Sequence, residues 1–150
     1  MAAGEHITVC DMQKFEYDCT LTDFLPDRVL AQVDSERKCD TEPPFAAHLY
    51  QALPKGDKLD TVIQKAVECG VCRIVPFESE RCVVRAKPDS EPRKTERRRR
   101  IASEAAKQCG RGALPEVAQT VSFDEMLHLI PQGKELMLQG DRRYFEVSID

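Results

Sequence analysis

The spacing of apolar residues changes once along this chain, and that change constrains its architecture more than any other feature. Up to about residue 34 they recur at every second position: Ile7 and Val9, then Phe15, Tyr17, Cys19 and Leu21, then Val29, Ala31 and Val33. A period of two places alternate side chains on one face of a strand. Three short antiparallel strands are therefore expected at 7–10, 14–22 and 28–34, with Pro26-Asp27 turning the second into the third. Three strands make a thin sheet with open edges, as in part of a small barrel. The polar stretch 35–46, with Pro43-Pro44, marks a boundary. Beyond it Leu59, Val62, Ile63, Ala66 and Val67 follow i, i+3, i+4, i+7, i+8, the signature of one helix face over 57–69. Gly70 stands where a helix C-terminal glycine belongs. Strands at 46–52 and 71–77 flank this helix. Such a βαβ unit requires a parallel sheet, so the second region is α/β.

Residues 86–94, with Pro88 and Pro92, read as a linker. Thr95 is expected to cap a helix running to Cys109, with Ile101, Ala102, Ala105, Ala106 and Cys109 inward and Gly110 at its end. A strand at Val117–Val121 follows. Ser122-Phe123-Asp124-Glu125 forms a capping box for a short helix to about Ile130, and a last strand is expected at Lys134–Leu138. The 150 residues suffice for one ordinary domain, or a small module joined to part of a second. No apolar run approaches the roughly 20 residues of a membrane helix, so no membrane partner is expected. No basic region followed by an apolar stretch opens the chain, so no signal peptide is expected. Seven cysteines, an odd number, point to buried free thiols in a reducing, cytoplasmic setting.

The net charge of −4 is unevenly spread. Residues 1–50 carry ten Asp/Glu against four Lys/Arg, and residues 81–100 carry nine Lys/Arg against three Asp/Glu. This asymmetry fits a polyanion-binding segment; a solvated face is the plain alternative. Cys69-Gly70-Val71-Cys72 is a CxxC, but it lies where a helix ends, not where one begins, so the helix dipole does not activate it. No second close pair completes a zinc set, and no metal is expected. His6, His48 and His128 lack a metal or triad spacing, and neither GxSxG, GxGxxG nor a P-loop is present.

Two segments gather polar groups. Lys55-Gly56-Asp57-Lys58 lies between a strand's C-terminal end and a helix N-terminus, the usual ligand edge of a parallel sheet, where two lysines and helix N–H groups suit phosphate. Ser79-Glu80-Arg81-Cys82 follows the next strand on the same edge. Arg97-Arg98-Arg99-Arg100 opens the expected second helix, where cations oppose the dipole, so a polyanion partner is favoured. Four successive arginines splay around the helix and cannot all face one ligand.

Taken in order, these blocks carry a resemblance. Gly56-Asp57-Lys58-Leu59-Asp60, Ile63 to Val71, Ile74-Val75-Pro76, Ser79-Glu80-Arg81, Ile101, Glu104-Ala105-Ala106 and Gln108-Cys109-Gly110-Arg111 together resemble the small-subunit rRNA uridine-N3 methyltransferase family, of the SPOUT class. The resemblance runs from about residue 1 to 138. It implies a partial PUA-like β-barrel over 1–42, the N-terminal half of a SPOUT domain over 43–138, and an unmatched tail over 139–150. It implies S-adenosylmethionine as methyl donor, a uridine in 16S rRNA of the small ribosomal subunit as substrate, and a homodimer. The family's Gly-Pro-Glu-Gly-Gly and Leu-Arg-x-Glu-Thr-Ala blocks, which build the knot and the donor pocket, do not occur here, and Arg98 stands where the family often has Trp. The chain is thus expected to be an inactive, incomplete copy that binds no donor itself. A non-catalytic RNA-binding or ribosome-associated module is the alternative, and a cytoplasmic scaffold a third. Methylation at N3 requires that nitrogen to lose its proton, and a cation near the uracil oxygens stabilises the anion. Arg81 and Arg111 are candidates for that role, and Gln108 for a hydrogen bond to a splayed uracil edge. The RNA-binding candidates are Lys55, Lys58, Arg81, Arg97, Arg98, Arg99, Arg100 and Arg111.

Overall fold

The computed structural model describes residues 1–130. It divides into two compact units: Met1–Glu42 with Gly110–Leu114, and Pro43–Cys109 with the chain from Pro115 onward. The first unit therefore takes back five residues from the far side of the second, unlike the continuous 1–42 span expected from sequence.

In the first unit β1 (His6–Cys10), β2 (Phe15–Phe24) and β3 (Val29–Lys38) form an antiparallel sheet in that order. Ile7 lies opposite Cys19, and Cys19 opposite Val33. β3 is four residues longer than its apolar pattern, because its polar end is held across strands instead of by burial. Asp18 accepts from Thr8 Oγ1 (2.8 Å), Ser35 Oγ (3.1 Å) and Arg37 Nη1 (2.5 Å). The Thr8 and Ser35 hydrogen bonds hold the Asp18 carboxyl below its ordinary pKa. Cys19 and Leu21 are buried, whereas Val29, Leu30 and Val33 are exposed. The described strands are an open three-stranded sheet with β1 and β3 at its edges.

The returning segment is held through its backbone. Lys14 N donates to Gly112 O (2.8 Å), and Cys39 N donates to Lys14 O (2.8 Å). A Cβ on Gly112 would lie 2.6 Å from Cys39 Sγ, so only glycine fits there.

The second unit is a parallel sheet centred on β5 (Val71–Glu78), with β4 (Ala47–Ala52) on one side and β6 (Glu116–Val117) and β7 (Val121–Ser122) on the other. Val75 and Phe77 meet Tyr50 and Met126 of α3 (Phe123–Leu129) on one face. Ile74 is fully buried on the opposite face of the sheet, where α1 (Lys58–Glu68) packs against β5 and α2 (Glu91–Gln108) against β6. α1 buries Leu59, Ile63 and Val67, one residue per turn, as its periodicity requires. The capping box of α3 is complete: Glu125 N donates to Ser122 Oγ (3.2 Å), and Ser122 N donates to Glu125 Oε2 (2.8 Å).

Two sequence expectations need correction. First, α2 starts at Glu91 with Ser90 as N-cap, not at Thr95. Pro92 occupies its first turn, where no N–H is needed, so this proline begins a helix instead of marking a linker. The arginine run consequently falls in mid-helix, where the dipole argument no longer applies. Second, the single strand expected at 117–121 is two short ones. Ile74 O accepts from Ala118 N (3.0 Å), and the next β5 residue pointing to that side is Pro76, which has no N–H to offer. The ladder therefore breaks between Val117 and Val121. The strand expected at 134–138 lies outside the described residues.

All seven cysteines are free: Cys19 and Cys39 are buried, but Cys69 and Cys109 are exposed, against the expectation that all would pack inside. Among the described residues no group of three or more His, Cys, Asp or Glu is placed to hold a metal ion, and no helix is long and apolar enough to cross a membrane.

Gly70 ends α1 at φ +92°, and a Cβ there would lie 2.5 Å from Pro43 Cγ. Gly56 also has positive φ (+72°) but open space around its Cβ position. Gly70→Ala should therefore destabilise the chain by more than about 1 kcal/mol, and by clearly more than Gly56→Ala. Urea unfolding midpoints of the two variants check this; equal midpoints would contradict the clash.

Candidate functional site

The C-terminal ends of β4 and β5 define the ligand edge of the second unit. The loop after β4 presents Lys55 and the start of α1 presents Lys58, both exposed. Arg81, in the segment after β5, is exposed too. Beside this edge lies a cleft of about 140 Å³, walled by the β4–α1 loop, the first turn of α1, residues 84–86 and the first two turns of α2. Arg85, Lys94, Arg97 and Arg98 line it, together with Asp57, Asp60 and Glu91.

The arginine run is divided by its partners. Arg97 donates from Nη2 to Asp60 Oδ2 on α1 and stays largely exposed. Arg98 is buried, its Nη1 donating to Glu91 Oε1 (2.7 Å) and Thr120 Oγ1 (3.0 Å). Arg99 Nε donates to Val117 O (3.0 Å). Arg100 is exposed and forms no ion pair among the described residues. Arg98 is thus an internal cation; Arg97, Arg99 and Arg100 are exposed, Arg97 held to Asp60 and Arg99 to a backbone carbonyl.

Glu91 organises this region. Its Oε1 accepts from Arg98, from Thr120 N (3.1 Å) and from Thr120 Oγ1, the last two belonging to the chain where the β5 ladder is broken. Burial pushes its carboxyl upward, but the Thr120 hydrogen bonds and the Arg98 charge more than offset this and hold it below the ordinary glutamate value. Sequence reasoning missed Glu91. A single glutamate in a proline-containing stretch carries no signal, and its partners are seven and twenty-nine residues away.

The other candidates lie elsewhere. Arg111, in the first unit, is 5% exposed and grips Glu42 through Nε (3.1 Å) and Nη2 (2.5 Å). That hydrogen bonding, ahead of the opposing effect of burial, keeps Glu42 below its ordinary pKa. With its guanidinium held on Glu42, Arg111 presents no charge to a uracil in this structure. Gln108 is the last residue of α2, ~25 Å along the helix axis from Glu91 at 1.5 Å per residue, so it is not brought to the cleft. Arg81 stands at the ligand edge of the second unit, in the segment after β5.

A parallel sheet with crossover helices and exposed cations at its ligand edge makes this an α/β domain, and comparison with known proteins gives the class. A family model for the RNA methyltransferase domain matches residues 41–146. The chain belongs to that family. It resembles ribosomal RNA small subunit methyltransferase E of Bacillus subtilis, with 35% identity over 127 residues, covering 85% of this chain and 50% of that protein. The chain thus spans about half the length of that relative. The methyltransferase E of Aquifex aeolicus is 36% identical over 94 residues, covering 62% of this chain and 39% of the relative. Two solved structures share the fold. A putative methyltransferase from Legionella pneumophila in complex with bound SAM superposes at a TM-score of 0.76, with 29% identity, 95% of this chain and 59% of that one. The methyltransferase E from Neisseria gonorrhoeae bound to S-adenosylmethionine gives 0.74 with 32% identity, covering 87% and 54%.

Both solved structures hold S-adenosylmethionine, yet the cleft described here does not fit it. At about 140 Å³ it falls below the roughly 300 Å³ at which small-molecule pockets begin. No step through the donor is derived from these residues.

The buried Glu91–Arg98 pair makes two expectations. Arg98→Met leaves a buried carboxylate without its cation and should cost about 3–5 kcal/mol, part of which Glu91→Gln added to it should restore. Because the folded pKa of Glu91 is depressed, its contribution is fully present above the unfolded value of about 4.3 and is lost as pH falls through the folded value. Denaturant melts between pH 3 and 7 should show a weaker acid dependence in Glu91→Gln than in the parent; identical profiles would remove Glu91 from the account.

Proposed function

We propose that the protein to which these residues belong methylates N3 of a uridine in 16S rRNA, acting as a homodimer on the small ribosomal subunit in the cytoplasm. We further propose that the described residues contribute its RNA-facing edge and not its donor pocket. The observation that carries this reading is the family match over 41–146, combined with exposed Lys55, Lys58 and Arg81 at the ligand edge of the second unit's parallel sheet. N3 of uracil is a poor nucleophile until deprotonated, and the negative charge then spreads to O2 and O4. A guanidinium beside those oxygens stabilises the anion, and Arg81 is the candidate whose side chain is free in solvent at that edge. A flipped or single-stranded uridine is the form in which N3 is accessible, since pairing occupies that edge.

A second reading, a non-catalytic RNA-binding module, is favoured by the poor fit of the cleft to the donor. Calorimetry of the 150-residue chain at about 0.1 mM should show no saturable S-adenosylmethionine binding. A one-site isotherm would overturn the assignment of the donor pocket elsewhere. Methylation at N3 blocks Watson–Crick pairing, so reverse transcription on 16S rRNA should stop at the modified uridine in cells carrying the gene and read through in cells lacking it. Unchanged read-through would leave only the binding module.

RNA affinity of the chain should be electrostatic. With Lys55, Lys58, Arg81 and Arg100 neutralising about four phosphates, log affinity for single strands should fall against log salt with a slope near −3. Replacing these four by Gln should flatten that slope; an unchanged slope would exclude this edge.

A further inference from the structure

The outward side of α2 carries charge that the buried Glu91–Arg98 pair does not neutralise. The helix holds seven Lys/Arg against three Glu. Arg98 is matched internally by Glu91, and Arg97 by Asp60 of α1. α1 and its N-cap Asp57 carry three carboxylates against two lysines, so the two packed helices together keep an excess of three positive charges. Glu78 of β5 and Glu116 of β6 are each answered by an arginine, Arg85 and Arg73, and leave that excess unchanged. Arg93, Arg100 and Lys107 are exposed and form no ion pair among the described residues. They recur every seven positions, close to two full turns, and so lie in a row opposite the buried Thr95, Arg98, Ala102 and Ala106. At 1.5 Å per residue the row spans about 21 Å. Glu96 and Glu104 stand about one turn to either side of Arg100, so they interrupt the row without cancelling it.

The residue types on this face select its partner. Among its exposed residues there is no aromatic side chain and no large aliphatic one. A protein partner is held at an apolar or aromatic centre, which this face does not offer. Unpaired RNA is held by stacking its bases on aromatic rings, which are equally absent. What the face does offer is a straight, rigid row of cations with four exposed arginines, whose forked guanidinium matches a phosphate. Duplex RNA is recognised largely by shape and backbone, and its phosphates are ordered before they bind, so little entropy is lost on a rigid row. Arg93 and Arg97 stand at i, i+4, and Arg97 and Arg100 at i, i+3, spacings at which like charges destabilise a helix; a polyanion relieves that repulsion. We infer that the outward face of α2 is a docking surface for the phosphate backbone of duplex RNA, separate in kind from the edge that takes a single-stranded uridine. This rests on the RNA reading above for the identity of the duplex, but the surface itself is defined by the residues of α2.

The test uses the full 150-residue chain and three probes: a mixed-sequence RNA duplex of about 16 base pairs, oligouridine as unpaired strand, and polyglutamate as a polyanion without phosphate. The variant is Arg93→Gln with Lys107→Gln, two exposed residues outside the Lys55, Lys58, Arg81 and Arg100 set assigned to single strands. Each lost phosphate contact lowers a duplex salt slope by about 0.9, so this variant should flatten the slope by about 2 and weaken the duplex at least about 10-fold, with an unchanged thermal melt. Oligouridine affinity should change less than about 2-fold. Glu96→Gln with Glu104→Gln should tighten the duplex about 3-fold, because two carboxylates leave the row. Four results overturn the surface: an unchanged duplex slope in the Arg93/Lys107 variant, an equal loss for oligouridine, a Glu96/Glu104 variant that binds the duplex no tighter, or polyglutamate competing as well as the duplex. If oligouridine binds through Lys55, Lys58 and Arg81 while the duplex does not bind, the surface falls and the RNA reading stands. If the duplex binds along α2 but cellular 16S rRNA shows no gene-dependent stop, the methyltransferase reading falls and the surface stands.

Discussion

A proline in the central strand organises the second unit. Pro76 is fully buried in β5, between strands on both sides. Proline in such a position removes one ladder hydrogen bond, and the loss is tolerable only where the neighbouring strand does not ask for it. Here the neighbour is interrupted at that place, as β6 ends at Val117 and β7 begins at Val121. The Thr120 N–H in the gap needs another acceptor, and Glu91 Oε1 supplies it. A buried carboxylate in turn needs a cation, and Arg98 supplies that. The break in the ladder opposite Pro76 is thus joined, through Thr120 and Glu91, to the burial of an arginine on α2.

The same chain of contacts decides which positive charges are available to a ligand. By composition residues 81–100 look like a basic patch, yet the fold withdraws Arg98 into a buried pair and engages Arg99 with a backbone carbonyl. What remains in solvent is a cationic edge drawn from the β4–α1 loop and the segment after β5, together with Arg93, Lys94, Arg97, Arg99 and Arg100 on α2. This arrangement suits the usual placement of ligands at the C-terminal ends of parallel strands, where loop residues from several elements converge without disturbing the packed faces beneath. The cost is local: each buried ionic group must keep its partner, because neither Glu91 nor Arg98 has water to fall back on.

How much of this could be read from sequence depends on the range of the interaction responsible. α1 was legible because Leu59, Ile63 and Val67 encode its buried face in their own spacing, and α3 because Ser122 and Glu125 carry its cap within four residues. Gly70 was legible as a helix end, although not the approach of Pro43 that makes it irreplaceable. The start of α2 was misread because Pro92 signals both a loop and a first helical turn, and the choice depends on the packing of Thr95 and Glu91 further on. The break between β6 and β7 depends on which way Pro76 points in the sheet, which a linear pattern does not encode. The return of Gly110–Leu114 to the first unit rests on backbone hydrogen bonds and on the Arg111–Glu42 pair, whose partners lie too far apart in sequence to be matched by pattern. At the candidate site, Lys55, Lys58 and Arg81 were found because strand ends locate them. Glu91 was not found, because a buried carboxylate is recognised by partners distant in sequence.

The two units differ in charge as well as in architecture, and the difference bears on how a polyanion meets the chain. The first unit carries ten acidic residues against five basic ones, Arg111 included, and several of its carboxylates are engaged in cross-strand hydrogen bonds. A surface of this sign contributes no counterion release and repels phosphate. At physiological ionic strength that repulsion decays over about 8 Å, so it reaches only a strand that runs close to the acidic sheet. Attraction at the cationic edge is limited by the same length. A cationic edge of this kind attracts a phosphate backbone without any base being read, and it leaves sequence discrimination to groups that contact a base itself.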